Sequence, residues 1–457
     1  MLTTRVDIDP LSLFQTFDFA PRRALVAAVS GGSDSLALLL LAKAWLDRTA
    51  PGIRLVAVTV DHDLRPGSAE EARQVARIAA RHGISHRTMS WAGPKPATGI
   101  PAAARLARYR LLAEAARREG TDIILTGHTA DDQAETVLMR AERADGRQDA
   151  RGLAGMAPAT LFEGESWIVR PLLGTRRRAL RDLLRGRGET WLDDPTNANP
   201  AFERPRMRAM LGQGNDRRVE AALAEAANAA RARRQLGKEA AALIRAFATC
   251  PCPGLIRLDP RFAQAEPGAG VYALRVLLGT SGGAPHLPDL PRAQAVFARM
   301  ARERFCATLS RTVIDARKQG IFLHREARHL PAPQAPAEGM LWDGRFRLET
   351  SGDAQDLTVA PAGSEMAKTP EIEAVDAPAG LVRAACATLP ALSRGGEWLG
   401  PLPAAHGPRG VSAMPVAGPW ALFLPGFDLA AATATAELIG AKSPPLPPLA
   451  GHIASKA

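Results

Sequence analysis

Short apolar runs alternate with longer segments of helical period through the first half of the chain. A-L-V-A-A-V (24–29), I-R-L-V-A-V-T-V (53–60) and D-I-I-L-T (122–126) lack the polar alternation of a strand with one wet face. Both faces of such strands must be covered. The segments between them predict helices over about 36–46, 69–82 and 100–118, with another from about 131. I-S-H-R-T-M (84–89) is a weaker strand. Strands joined through helices run parallel, with helices on both faces of the sheet. I-V-R-P-L-L (168–173) reads as the last strand, R-R-R-A-L-R-D-L-L-R (176–185) as the helix after it, and D-D-P-T-N-A-N-P (193–200) as the closing loop. This α/β domain is expected over 1–215.

Beyond it, residues 216–247 are rich in Ala, Arg and Glu and read as helical, a character that continues to 306. T-V-I-D-A-R-K-Q-G-I-F-L-H (312–324) reads as a hairpin. A mainly helical domain is expected over 216–328, then a linker at H-L-P-A-P-Q-A-P-A-E-G (329–339). Short apolar runs broken by Pro and Gly predict a small α+β or β-rich domain over 340–440, and the Pro-rich 441–457 a disordered tail. No apolar run approaches the length of a membrane span. The N-terminus lacks a signal-peptide pattern, and Cys250, Cys252, Cys306 and Cys386 are too scattered for a disulfide framework. A cytoplasmic protein without membrane contact is expected. Oligomeric state is open, a homodimer being the assembly considered.

The net charge is +11. Residues 331–457 hold 8 Lys and Arg against 12 Asp and Glu, a balance of −4, which leaves +15 on residues 1–330. A polyanionic partner would therefore meet mainly the front and middle of the chain. A generally basic, Arg-rich composition is the alternative source of the sign.

The loop S-G-G-S-D-S (30–35) joins the first strand to the first helix. A helix N-terminus there offers backbone N–H groups to an anion. Gly31 and Gly32 let a ligand approach the backbone, and Ser30, Ser33 and Ser35 add hydroxyls. Asp34 cannot bind a phosphate directly and is better suited to Mg²⁺. The loop matches neither G-x-x-x-x-G-K-[ST] nor G-x-G-x-x-G. It resembles the S-G-G-x-D-S loop of the PP-loop ATP pyrophosphatases. That resemblance implies a Rossmann-like domain that cleaves ATP between its α and β phosphates.

Further motifs narrow the resemblance: V-D-H-D-L-R-P-G-S-A-E-E-A (60–72), A-A-R-L-A-R-Y-R-L-L (103–112), T-G-H-T-A-D-D-Q-A-E-T (126–136), R-P-L-L (170–173) and D-D-P-T-N with R-P-R-M-R (193–208). Together they are similar to the tRNA(Ile)-lysidine synthase family over about 24–210, with a looser likeness at 306–328. The resemblance implies ATP and Mg²⁺ as cofactors and, as substrates, L-lysine and a tRNA(Ile) with a CAU anticodon. ATP would adenylate the 2-carbonyl oxygen of the wobble cytidine, and the lysine ε-amine would displace AMP.

On this resemblance the ATP site comprises Ser30, Gly31, Gly32, Ser33, Asp34, Ser35, Asp61, Arg105 and Gly127, with Asp34 on the metal. His128 lies at the reaction centre, and Asp132 and Glu135 hold the substrate lysine with Arg204. Asp132 is the candidate base. Asp132 and Glu135 are three apart on one helix face, although acidic residues at a helix N-terminus are favourable in any protein. Arg105 and Arg108, one turn apart, suit a phosphate of ATP or tRNA. Arg176, Arg177, Arg178 and Arg181 suit the tRNA backbone, as do Arg206 and Arg208, and a solvated amphipathic face explains the helical arginines equally. Three positions depart from the family pattern: Thr129 where a second histidine is usual, Asp63 where glycine is usual, and Pro205 where asparagine is usual. A tRNA-thiolating PP-loop enzyme would use cysteines, and residues 1–249 contain none. A non-catalytic RNA-binding protein with an inert nucleotide loop is the remaining alternative.

Overall fold

The computed structural model describes residues 8–63, 67–93, 95–143, 150–192, 203–211, 216–351, 356–363, 376–402 and 410–450. The chain divides into two compact units. The first comprises the chain up to Ala230 and the segment from Pro445; the second runs from Arg231 to Pro444.

In the first unit, β1 (Ala24–Ala28), β2 (Arg54–Asp61), β3 (Ser85–Ser90), β4 (Ile123–Thr126), β5 (Ala159–Phe162) and β6 (Ser166–Val169) lie in the order β5-β6-β4-β1-β2-β3. Neighbours pair parallel except β5 with β6. The helices are α1 (Pro10–Phe14), α2 (Ser33–Thr49), α3 (Ser68–Arg81), α4 (Ile100–Arg118), α5 (Ala130–Arg143), α6 (Arg177–Gly186), α7 (Glu203–Met210) and the start of α8 (Asp216–Phe247). Strand β1 is buried along its whole length, as the apolar runs predict. Helix α2 buries Leu36, Leu38, Leu39 and Leu41. The run Leu36–Ala42 has no polar face and is buried on every side, and each such leucine stabilises the fold by about 1.5–3 kcal/mol.

Strand β1 has β2 on one side and β4 on the other. The chain therefore reverses its order across the sheet between β1 and β4. A crevice opens at the carboxyl ends of strands at such a reversal, and the loops after β1 and β4 carry the S-G-G-S-D-S and G-H-T motifs. Two glycines permit close approaches here. Gly31 has φ +87, and a Cβ there would lie 2.6 Å from Leu192 Cδ1. A Cβ on Gly127 would lie 2.9 Å from the Asp34 carbonyl and the Ser35 nitrogen, so the end of β4 touches the first turn of α2 backbone to backbone.

The sequence reading and the structure differ at 168–173. The strand ends at Val169, because Arg170 turns inward and donates to Ala157 O (2.7 Å) and Thr160 Oγ1 (2.9 Å). Strand β6 instead closes a hairpin with β5, which the sequence reading did not place. The Pro-rich tail also differs from expectation over its described part. Pro447 and Pro448 are buried, Asp18 N–H donates to Pro448 O (3.3 Å), and Ala450 N–H donates to Thr16 O (2.9 Å).

The second unit is less helical than expected. Its antiparallel sheet has the order β7-β8-β11-β10-β9, built from β7 (Ala248–Cys252), β8 (Leu255–Leu258), β9 (Phe305–Leu309), β10 (Thr312–Arg317) and β11 (Gly320–Arg325). The β10–β11 hairpin lies where the sequence placed it. Helix α9 (Pro267–Gly282) is buried almost throughout, and α10 (Leu290–Met300) follows it. Beyond these, β12 (Leu341–Trp342), β13 (Phe346–Thr350) and β17 (Val411–Pro415) form one small sheet, and β14 (Leu357–Pro361), β15 (Pro390–Arg394) and β16 (Glu397–Pro401) another, with α11 (Ala379–Cys386) alongside. One apolar cluster joins Cys252, Leu255 and Phe322 to Trp342, Leu348, Val359 and Leu392, so the core continues past the expected linker. Among the described residues no helix is long and apolar enough to cross a membrane.

Candidate active site

The loop after β1 is tied by its own hydroxyls. Ser30 N–H donates to Ser35 Oγ (3.2 Å), and Ser35 Oγ donates to Gly32 O (3.0 Å). Ser35 thus shapes the loop. Gly32 caps α2 without any side-chain bond to the first turn. The N–H groups of that turn, which no side chain satisfies, are donors for an anion, reinforced by the helix dipole.

A cavity of about 780 Å³ lies against this turn. Its walls include Ser30, Gly32, Ser33, Asp34 and Ser35 from the loop, Gly127, His128 and Asp132 from beyond β4, and Arg177, Arg181 and Arg204. The volume lies within the range of small-molecule and cofactor sites.

Acidic and basic side chains meet on one side of it. Arg177 donates from Nε to Asp34 Oδ2 (2.8 Å) and from one Nη to Asp132 Oδ1 (2.8 Å), and its other Nη is 3.5 Å from Glu135 Oε1. Arg208 donates to both oxygens of Glu135, at 3.0 and 3.4 Å. Asp34, Asp132 and Glu135 therefore exceed Arg177 and Arg208 by one negative charge. Burial works against the charge on Arg177, but Asp132 and Asp34 outweigh it and raise its pKa further. Burial likewise opposes ionisation of Asp132, and Arg177 with the Thr129 N–H holds its carboxyl below the usual range. Asp132 also has a local duty. Its Oδ2 accepts from Thr129 N–H and Oγ1, both at 2.9 Å, closing the first turn of α5 as a capping box does.

His128 stands on the cavity wall with Nδ1 3.0 Å from Thr126 Oγ1. Burial, with Arg170 next, pushes its pKa down to about 3, so the ring is neutral at physiological pH. Arg108 also lines the cavity, and no carboxylate pairs with it among the described residues. Burial lowers its pKa, a penalty that an anionic ligand would offset. Arg181 donates to Ser33 Oγ (3.3 Å) and lies over the Trp191 ring.

The structure thus gathers most of the residues singled out from sequence, but not all. Arg105 is exposed, lies over the Tyr109 ring and is not among the lining residues, whereas Arg108 is. Asp61 accepts from Asp63 N–H (2.9 Å) and is not among the lining residues. Asp63 has φ +50, which explains why a glycine suits that position. Arg177 and Arg208, expected on a tRNA backbone, are committed to carboxylates. Arg176 pairs with Asp131 (3.3 Å) and Asp216 (2.9 Å). Arg178 and Arg206 are exposed. Arg204 and Arg208 fall one turn apart on one face of α7, with Arg206 off that face. The D-D-P-T-N stretch and residues 64–66 lie outside the described residues.

Among the described residues no cluster of three His, Cys, Asp or Glu could hold a metal ion. Mg²⁺ commonly takes only one or two carboxylates and completes its shell with phosphate oxygens and water. Asp34 beside an anion-binding turn fits such a shared site.

A PP-loop domain family model matches residues 4–214. The chain is 53% identical to a tRNA(Ile)-lysidine synthase of Mesorhizobium japonicum, covering 99% of this chain and 100% of the relative. It is 39% identical to a tRNA(Ile)-lysidine synthase of Brucella ovis, covering 95% and 98% respectively. Among solved structures, the U34-tRNA thiolase NcsA of Methanococcus maripaludis matches 48% of this chain and 77% of its own, at 15% identity and a TM-score of 0.40, too distant to bear on the argument.

Proposed function

The chain belongs to the tRNA(Ile)-lysidine synthase family, and we propose that it ligates L-lysine to the wobble cytidine of a tRNA(Ile) bearing a CAU anticodon. The observation that carries this reading is the meeting, in one cavity, of an uncapped helix N-terminus and a buried acidic helix. The first suits a polyphosphate; the second suits an ammonium ion.

In the first step the cytidine 2-carbonyl oxygen attacks the α-phosphorus and pyrophosphate leaves. The N–H groups of Ser33, Asp34 and Ser35 bind departing phosphate, and Arg108 and Arg181 offset the charge that develops there. Mg²⁺ held by Asp34 would neutralise phosphate charge when bound. His128, neutral and fixed by Thr126, orients the reacting base by hydrogen bonding; it does not store a proton.

In the second step the lysine ε-nitrogen attacks C2, the C2–O bond breaks and AMP leaves. Asp132 and Glu135 bind the ammonium, Asp132 accepts its proton as the amine is used, and Arg204 faces the α-carboxylate. Exposed Arg178 and Arg206 meet the tRNA backbone. ATP–pyrophosphate exchange that depends on cognate tRNA tests the first step. Exchange without that dependence, or none at all, would reject the reading.

A further inference from the structure

We propose that Arg177 is a displaceable gate that occupies the ammonium pocket until ATP binds, so that the enzyme admits lysine only after the nucleotide. This rests on the assignment of Asp132 and Glu135 as the lysine site.

A lysine ammonium would need carboxylate oxygens free to accept its protons. Asp132 Oδ2 is spent on capping α5. Its remaining oxygen, Oδ1, is taken by Arg177 at 2.8 Å. Glu135 is 1% exposed and already bonded twice by Arg208, with Arg177 at 3.5 Å. An incoming ammonium therefore finds the accessible face of this pair covered by the guanidinium of Arg177. A cation of the chain stands where a cation of the substrate belongs.

The same guanidinium reaches the nucleotide loop. Its Nε is 2.8 Å from Asp34 Oδ2, and Asp34 lies in the first turn of α2. Arg208 does not share this position; its contacts stay with Glu135 and, at 3.9 Å, Asp132. Among the described residues Arg177 alone joins the loop carboxylate to the acidic helix. Its backbone is anchored separately, with its N–H donating to Asp131 Oδ2 at 2.6 Å. The side chain can thus swing while the start of α6 stays fixed.

A polyphosphate at the α2 N-terminus offers this guanidinium stronger, bidentate partners than carboxylates already shared with Arg208. If Arg177 turns to phosphate, Asp132 Oδ1 and the open side of Glu135 are freed together. Asp132 then loses the charge that most favours its ionised form, which makes it a better proton acceptor once lysine is in place. Nucleotide binding thus precedes entry of the nucleophile.

The test is equilibrium binding of L-lysine to the full-length protein, with and without α,β-methylene-ATP and Mg²⁺, for wild type, Arg177→Gln and Arg177→Lys. Wild type should bind lysine about tenfold more tightly with the nucleotide analogue, within the usual range of coupling, and lysine should tighten analogue binding by the same factor. Arg177→Gln should bind lysine tightly without nucleotide and gain nothing from it. Arg177→Lys, which keeps the charge, should restore the dependence. Wild-type lysine affinity unaffected by the analogue would overturn the gate. So would an Arg177→Gln protein that keeps the dependence, or one that loses lysine binding altogether while still folded. If Arg177→Gln does not fold, Arg177→Lys and the reciprocity in wild type decide. Lysidine formation by wild type is measured alongside. Its absence rejects the assigned reaction, whereas lysidine formed without nucleotide-dependent lysine binding rejects the gate alone.

Discussion

Gly127→Ala tests how closely β4 and α2 must meet. The new Cβ would lie 2.9 Å from three backbone atoms, Asp34 C, Asp34 O and Ser35 N. None is the end of a flexible side chain, so relief requires about 0.5 Å of movement between the strand end and the first turn of α2. Overpacking of this kind costs about 1–3 kcal/mol. About 2 kcal/mol lowers the Tm of a unit of this size by about 4–8 °C. The same movement displaces the phosphate-binding turn from His128 and Asp132, and misplacement on this scale should lower kcat/KM for ATP by about tenfold or more. Gly32→Ala is the internal contrast. Its φ is −68, and the nearest atom to an added Cβ is Ser30 Oγ at 3.7 Å, so only the poorer capping of Ala remains, about 0.5–1 kcal/mol, and Tm should fall by no more than about 1–4 °C. Thermal unfolding and ATP–pyrophosphate exchange measure both effects. A Gly127→Ala protein with wild-type Tm and kcat/KM would refute the close-approach argument.

Other consequences are equally direct. Asp132→Asn should slow lysine transfer more than adenylation, so that adenylated tRNA accumulates in single-turnover assays; equal loss of both steps would remove Asp132 from its role as base. Arg178→Ala should flatten the log–log salt dependence of tRNA binding by about one unit, whereas an unchanged slope would assign that side chain to solvent. The His128 pKa of about 3 lies below the ordinary 6.5. Between those values the unfolded chain binds a proton that the folded chain does not, so stability should fall as pH drops from about 6.5 toward 3. His128→Gln should flatten the Tm–pH curve over that interval, and parallel curves for the two proteins would show that His128 is not held neutral.

Much of the first unit is written in its sequence because its signals are local. The short apolar runs at 24–29 and 122–126 read as strands covered on both faces, and their parallel direction follows from the helices between them. The β5–β6 hairpin was harder to see. Its strands are short, and its turn depends on left-handed Glu163 (φ 48) and Gly164 (φ 80), a pairing weaker than Asn-Gly. In the second unit, β7–β8 and β9–β10 are tight hairpins of short strands, and β8 meets β11 by a long-range pairing that no periodicity announces. At the site, the residue types were legible and their partners were not. Nothing in R-R-R at 176–178 says that the middle arginine alone points inward to Asp34 and Asp132. That choice is made by the Asp131 carboxylate, which fixes the backbone of Arg177 and so the rotation of α6.

The central claim is that this cavity joins lysine to a tRNA cytidine at the expense of ATP. Mass analysis of nucleosides from a tRNA(Ile) transcript with a CAU anticodon, incubated with the protein, ATP, Mg²⁺ and isotopically labelled lysine, tests it most directly. One labelled nucleoside is expected at the wobble position, with the mass of cytidine plus lysine less water, and stoichiometric AMP and pyrophosphate. An unmodified cytidine, a thiolated base, or ADP in place of AMP would contradict it.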